Sequence, residues 1–207
     1  MSLIVYNGSP RGDKSNSSII TSWFLEGYGN DNVEIRYLSK IKLHPSHIEE
    51  IHEFDQVLMV FPLYVDGMPG QVKYFFETLS LSKDKLLNKD ITFIIHSGFS
   101  EGIQSKTLEH YLNRFCNIMG FNNHGVIIIP GSEGFRVMPP SMTKKKRISV
   151  SRFGLLYKNK ESYNDVDLKF LFGKEKSSNF SIFIFKLFNK VGLTNLWWKS
   201  QLKKNNA

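Results

Sequence analysis

A single cysteine, Cys116, in 207 residues excludes an internal disulfide framework and any zinc or iron–sulfur site built on cysteines. It lies in Tyr111-Leu112-Asn113-Arg114-Phe115-Cys116-Asn117-Ile118-Met119, a stretch of helical periodicity, and reads as a buried structural thiol rather than a nucleophile. No apolar run approaches the length needed to span a bilayer. The chain opens on an apolar stretch without the basic-then-apolar pattern of a secretion signal, so a cytoplasmic location is expected. Acidic residues are the minority charge: 19 Asp and Glu against 27 Lys and Arg leave a net charge of +8. Part of the excess sits in Lys144-Lys145-Lys146-Arg147 and part in Lys199, Lys203 and Lys204. No nucleic-acid motif or interleaved stacking platform accompanies these runs, so nucleic acid is not an expected partner. An anionic cofactor or substrate explains a basic surface equally well.

What is present is enough apolar residue, 41% of the chain, for one α/β domain with a large core. Leu3 to Tyr6 reads as a buried strand, and Ile19 onward as a helix. Val33 to Leu38 alternates as a second strand, and His47 to Phe54 reads as a short helix. Gln56 to Phe61 is continuously apolar, as in a central parallel strand covered on both faces. A helix from Gln71 to about Leu81, a strand from Asp90 to His96 and a helix from about Ser105 to Met119 follow. Gly120 is placed to cap the last of these, and Gly125 to Pro130 forms a fifth strand. Strands alternating with helices predict a doubly wound, five-stranded parallel sheet, and 2-1-3-4-5, one of the common orders of such sheets, is the order expected for it. Residues 1–150 form this domain and residues 151–207 a helical extension.

Three loops differ from ordinary connectors. The first, Gly8-Ser9-Pro10-Arg11-Gly12-Asp13-Lys14-Ser15-Asn16-Ser17-Ser18, carries hydroxyls, an amide and an arginine before a helix N-terminus, where backbone N–H groups and the helix dipole favour an anion. It has neither a terminal Gly-Lys-Ser/Thr nor Gly-x-Gly-x-x-Gly, so it is not a P-loop or a dinucleotide fingerprint. By itself it fits a phosphate site and an ordinary polar connector equally well, since Ser and Asn also cap helices. The second, Pro62 to Gly70, offers Tyr64 and Met68 as platforms and glycines that admit a planar ligand. The third, Ser97-Gly98-Phe99-Ser100-Glu101, joins an open backbone to an aromatic ring. In the order 2-1-3-4-5 the three strands that precede them are adjacent, so the loops meet at one edge, where such sheets bind ligands. A flat heterocycle with a phosphate tail suits this combination.

Gly8-Ser9-Pro10-Arg11 with Ser15-Asn16-Ser17, Pro62-Leu63-Tyr64 with Gly67-Met68-Pro69, and Ser97-Gly98-Phe99 with Glu101 resemble the flavodoxin-like NAD(P)H-dependent FMN reductases, relatives of the iron–sulfur flavoproteins. The resemblance covers the first two-thirds of the chain, and the ending from Trp197 to Asn205 is similar too. It implies that Ser9, Arg11, Ser15, Asn16 and Ser17 hold the FMN phosphate. Pro62, Leu63, Tyr64, Val65, Gly67, Met68 and Pro69 would line the isoalloxazine and ribityl chain, and Ser97, Gly98, Phe99 and Glu101 the pyrimidine side. Two departures stand out: the cysteine cluster is missing, leaving flavin as the one implied redox centre, and Ser100 replaces an expected proline.

The resemblance implies an NAD(P)H-dependent oxidoreductase that reduces a small acceptor such as a quinone. A non-catalytic flavodoxin-type electron carrier is the alternative, disfavoured because such carriers are usually acidic and smaller. A flavin-less regulator or nucleic-acid binder is a third. No metal and no catalytic acid or base is assigned, because in flavin chemistry the protein supplies orientation and electrostatics. His96 is the titratable group nearest the loops, either a proton-transfer group or a hydrogen-bonded strand-end histidine. Val150 to Tyr157 and Val166 to Phe172 read as helical, and Phe180 to Phe188 is densely aromatic. A membrane-surface helix would leave fewer apolar positions around its wheel, so this segment is expected to be buried in a homodimer, with Phe135 and Met138 reaching the same interface.

Overall fold

The computed structural model describes residues 1–41 and 49–161. Five strands, β1 (Leu3–Asn7), β2 (Val33–Tyr37), β3 (Gln56–Pro62), β4 (Asp90–His96) and β5 (Asn122–Ile129), form one parallel sheet. Their order is β2-β1-β3-β4-β5, the order expected above. Among the described residues four helices connect and flank them: α1 (Asn16–Tyr28), α2 (Gly70–Ser80), α3 (Lys106–Met119) and α4 (Pro140–Lys158).

Period-two geometry sorts the apolar strand residues onto two faces. Leu3, Val5, Leu58, Val60, Ile94 and Ile127 meet Ile20, Phe24 and Tyr28 of α1 and Val150, Phe153 and Tyr157 of α4. Ile4, Tyr6, Met59, Phe61, Phe93 and Ile95 meet Val72, Phe75 and Phe76 of α2 and Leu108, Leu112 and Cys116 of α3. This is why β1 and β3 read as apolar runs, and why β4 carries Ile91, Phe93, Ile94 and Ile95 on both faces. Cys116 is fully buried, and burial pushes its thiol pKa up to about 12. Gly120 ends α3 in the left-handed conformation, φ 69°, that glycine adopts without strain.

Several expectations are corrected. Of the helix expected over residues 47–54, Glu49 is α-helical and Glu50–Glu53 tighten into a 3-10 turn that buries Ile51, so the α-helix does not continue to Phe54; His47 and Ile48 lie outside the described residues. β5 begins at Asn122 rather than Gly125, pairing Asn122 with Asp90 through a register irregularity between Ile91 and Phe93. The piece expected at Val150–Tyr157 is the second half of α4, which runs through the division expected at residue 150. Val166–Phe172, Phe180–Phe188 and the ending from Trp197 lie outside the described residues. Phe135, expected at an interface, is covered within its own chain. It is buried, its ring 5.0 Å from that of Trp23. Met138 remains partly exposed.

Candidate active site

At the carboxyl edge of the sheet a cleft of about 540 Å³ opens between the loops that follow β1, β3, β4 and β5. Ser9, Arg11, Ser15 and Asn16 of the first loop line one side, with Pro62, Leu63, Tyr64 and Val65 from the second loop and Ser97, Gly98 and Phe99 from the third, all of them expected from the sequence. His96, Ser132 and Glu133 complete the lining. Ser132 and Glu133 carry no motif. The signal that could have located them is positional, because Pro130-Gly131-Ser132-Glu133 leaves a strand at the same edge as the other loops.

The first loop is built by hydrogen bonds within itself. Asn7, fully buried at the end of β1, accepts from the Ser9 N–H at 3.0 Å and donates to Ser18 Oγ at 3.0 Å. Ser9 Oγ accepts from the Arg11 N–H at 3.3 Å. Ser15 caps α1: its hydroxyl accepts from the Ser18 N–H at 3.1 Å and donates to the Gly12 carbonyl at 2.6 Å. The Ser15 hydroxyl is therefore committed to the loop. What α1 presents instead is its first-turn backbone, where the N–H groups of Asn16 and Ser17 have no acceptor within the helix. Ser17 itself is fully buried and is not among the residues that line the cleft; its Oγ lies 2.7 Å from His96 Nε2, so its hydroxyl is already bonded.

The second loop turns on a tight hairpin in which Tyr64 and Gly67 exchange backbone hydrogen bonds of 2.8 and 2.9 Å. Both central residues have positive φ, Val65 at 47° and Asp66 at 61°, the arrangement of type I′ turns. Val65 is 98% exposed, and a β-branched residue is strained in this region. Replacing Val65-Asp66 by Asn-Gly, the pair suited to this turn, is expected to stabilise the protein by about 1 kcal/mol, read as a higher urea midpoint. The hairpin also separates the expected lining. Gly67 and Met68 border a second groove of about 310 Å³ with Lys73, Leu108 and Tyr111. Pro69 precedes α2 as its cap, and Glu101 is half-buried in the third loop; neither lines the cleft.

Two atoms of residues that line the cleft are left without protein partners among the described residues: Ser97 Oγ and Asn16 Oδ1, both buried. Buried polar groups are nearly always hydrogen-bonded, so the lining fits a ligand with polar edges. The Asn16 side-chain amide makes one long contact, 3.5 Å, to the Glu133 carbonyl. His96 is 5% exposed, and burial pushes its pKa down to about 3. It is a neutral, hydrogen-bonded strand-end histidine. The unfolded chain binds a proton on this residue below about pH 6.5 that the folded chain does not bind until about pH 3. Stability is therefore expected to fall as pH drops through that window, by about 1.4 kcal/mol per unit from this residue. Urea unfolding at stepped pH checks the slope, which His96→Gln should flatten.

A family model described as a flavodoxin-like fold matches residues 1–149. The chain belongs to this flavodoxin-like family. The comparison with curated proteins finds no match. Among solved structures the chain is similar to an NADPH-quinone reductase from P. pentosaceus, at TM-score 0.62 and 15% identity over 74% of this chain and 98% of that one. It is similar to an FMN-dependent NADH-azoreductase from Bacillus anthracis in complex with FMN, at TM-score 0.58 and 16% identity over 77% and 100%. It is also similar to a flavodoxin from the domain Archaea, at TM-score 0.55 and 16% identity over 77% and 98%. At these identities the likeness carries the flavodoxin-like fold. Among the described residues no helix is long and apolar enough to cross a membrane.

Proposed function

We propose that this flavodoxin-like protein binds FMN in the cleft and works as an NAD(P)H-dependent oxidoreductase, passing electrons to a small acceptor such as a quinone. The observation that carries the reading is the polarity of the cleft from end to end. At one end a helix N-terminus and Arg11 favour a phosphate; at the other, Tyr64 and Phe99 supply rings beside the unpartnered Ser97 hydroxyl. A flat heterocycle with an anionic tail satisfies both ends at once. The solved FMN complex of the azoreductase supports the same ligand.

Bound flavin would supply the hydride-accepting centre that no side chain here provides. The chain's own part is binding and orientation. The Asn16 and Ser17 amides and Arg11 would hold the phosphate, and Ser97 Oγ would meet a polar ring edge. Tyr64, Val65 and Phe99 are exposed at the mouth, where they would limit water at the ring face and leave room for a planar second substrate. No step asks for a proton from His96, whose ring is neutral and already bonded on both nitrogens. The reading carries with it a homodimer.

The test is a visible absorbance spectrum of the purified protein, supplemented with FMN, before and after anaerobic NADPH. Flavin bands that bleach with NADPH or NADH are the expected result. Bands that bleach with dithionite alone would favour the electron carrier, and no flavin binding in excess FMN would overturn the reading.

A further inference from the structure

His96 joins segments that are distant in sequence. Its Nε2 lies 2.7 Å from Ser17 Oγ in the first turn of α1, and its Nδ1 lies 2.9 Å from Ser132 Oγ in the loop after β5. Its own carbonyl accepts the Leu63 N–H at 2.8 Å, where the loop after β3 begins. One residue at the end of β4 therefore touches every other segment that walls the cleft.

The direction of these hydrogen bonds follows from where they end. Ser132 Oγ lies 3.0 Å from the Ser97 carbonyl, which can only accept, so the Ser132 hydroxyl donates there. Its lone pairs are left to accept from Nδ1–H. Nε2 then carries no proton and accepts from the Ser17 hydroxyl. The chain Ser17, His96, Ser132, Ser97 is fully satisfied by the neutral Nδ1–H ring. It closes on the carbonyl of the residue whose own hydroxyl is left for a ligand.

We propose that His96 is a positioning residue of the cleft, fixing the anion-binding start of α1 relative to the loops that carry Ser97 and Ser132. The ligand in this assignment rests on the flavin reading above; the hydrogen-bond chain does not. With the ring removed, the two ends of the cleft lose their common anchor and shift independently. A ring that merely filled space would affect stability without changing the balance of affinity between the two ends.

Two polar replacements separate the arms. His96→Asn places an amide where Nδ1 stood, able to donate to Ser132 but too short for Ser17. His96→Gln reaches Ser17 with a carbonyl oxygen and gives up Ser132. FMN and riboflavin, which differ only in the phosphate, are the probes, with affinities taken from flavin fluorescence quenching. His96→Asn is expected to weaken FMN about tenfold while changing riboflavin little, the loss of roughly one charge-assisted contact. His96→Gln is expected to weaken both by a similar factor, leaving their ratio near that of the wild type. Equal losses for both probes in both variants, or no loss in either, would overturn the proposal.

A second measurement needs no flavin and no variant. Long-range 1H–15N spectra of the unliganded wild-type protein near neutral pH should show Nδ1 protonated and Nε2 bare. An Nε2–H ring or an imidazolium overturns the proposal even if flavin binds. If the wild type binds neither flavin, the functional reading fails, and the tautomer decides the His96 assignment by itself.

Discussion

Replacing Gly154 with alanine is expected to destabilise the protein by about 3 kcal/mol, at the upper end of the usual cost of overpacking. Gly154 in α4 and Gly27 in α1 stand at the crossing of the two helices. An alanine Cβ at 154 would fall inside the envelope of the Phe24 carbonyl oxygen, with the Tyr28 nitrogen at 3.0 Å. A Cβ at 27 would strike the Ser151 carbonyl oxygen, with the Leu155 nitrogen at 3.1 Å. These are backbone atoms of packed helices and cannot swing aside as a side chain can. The crossing also sets the rings around it, since Phe24 packs at 5.6 Å on Phe153 and at 6.0 Å on Tyr157. Intrinsic helix preference points the other way, favouring alanine over glycine by about 1 kcal/mol. The sign of the measured change therefore reports directly on the crossing. Gly70→Ala is the control: nothing lies within 4 Å of the position its methyl group would take at the start of α2, so a gain of about 0.5 kcal/mol is expected there. Denaturant midpoints at unchanged slope would measure both. A stabilised Gly154→Ala would mean that the helices do not meet through their backbones.

Arg11→Ala is expected to weaken FMN binding by about tenfold to a hundredfold while leaving riboflavin binding nearly unchanged. That range is what a charge-assisted contact to phosphate contributes. Arg11 lines the cleft and is exposed, and its own backbone bond to Ser9 Oγ survives the substitution, so the fold should not change. Salt should weaken FMN binding less steeply in the variant, because one screened charge contact is gone. Fluorescence quenching titrations with the two flavins at two ionic strengths measure both effects. An unchanged FMN affinity would assign the phosphate to the α1 amides without Arg11, and equal losses for both flavins would place no phosphate beside it.

Much of the fold is legible in the residues because local chemistry and tertiary role agree. Asp90 to His96 carries Ile91, Phe93, Ile94 and Ile95 because both its faces are covered, and its limits match β4 at both ends. Gly120 marks the end of α3 because a left-handed cap suits glycine. Asn122-Asn123-His124 conceal the start of β5. Their backbone pairs with β4 at the sheet's edge while their side chains remain polar and partly accessible. Phe135 read as available for an interface because nothing near it in sequence shows Trp23, which covers it.

The cleft divides in the same way. From the residues alone came the alternation of strands and helices and, given an order common to such sheets, the edge at which the loops gather. They also showed that Ser9, Arg11, Asn16, Tyr64 and Phe99 belong together, since glycine, proline and hydroxyl residues directly after buried strands mark loops at that edge. Tertiary structure decided which polar atoms remain for a ligand. Ser15 and Ser17 are alike as letters, yet the first hydroxyl caps its own helix and the second is bonded to a histidine at the end of β4. Ser97 keeps a hydroxyl with no partner among the described residues, and Ser132 enters the site with no motif to announce it. Hydrogen-bond saturation depends on partners brought from distant strands, and no local pattern in the chain encodes it.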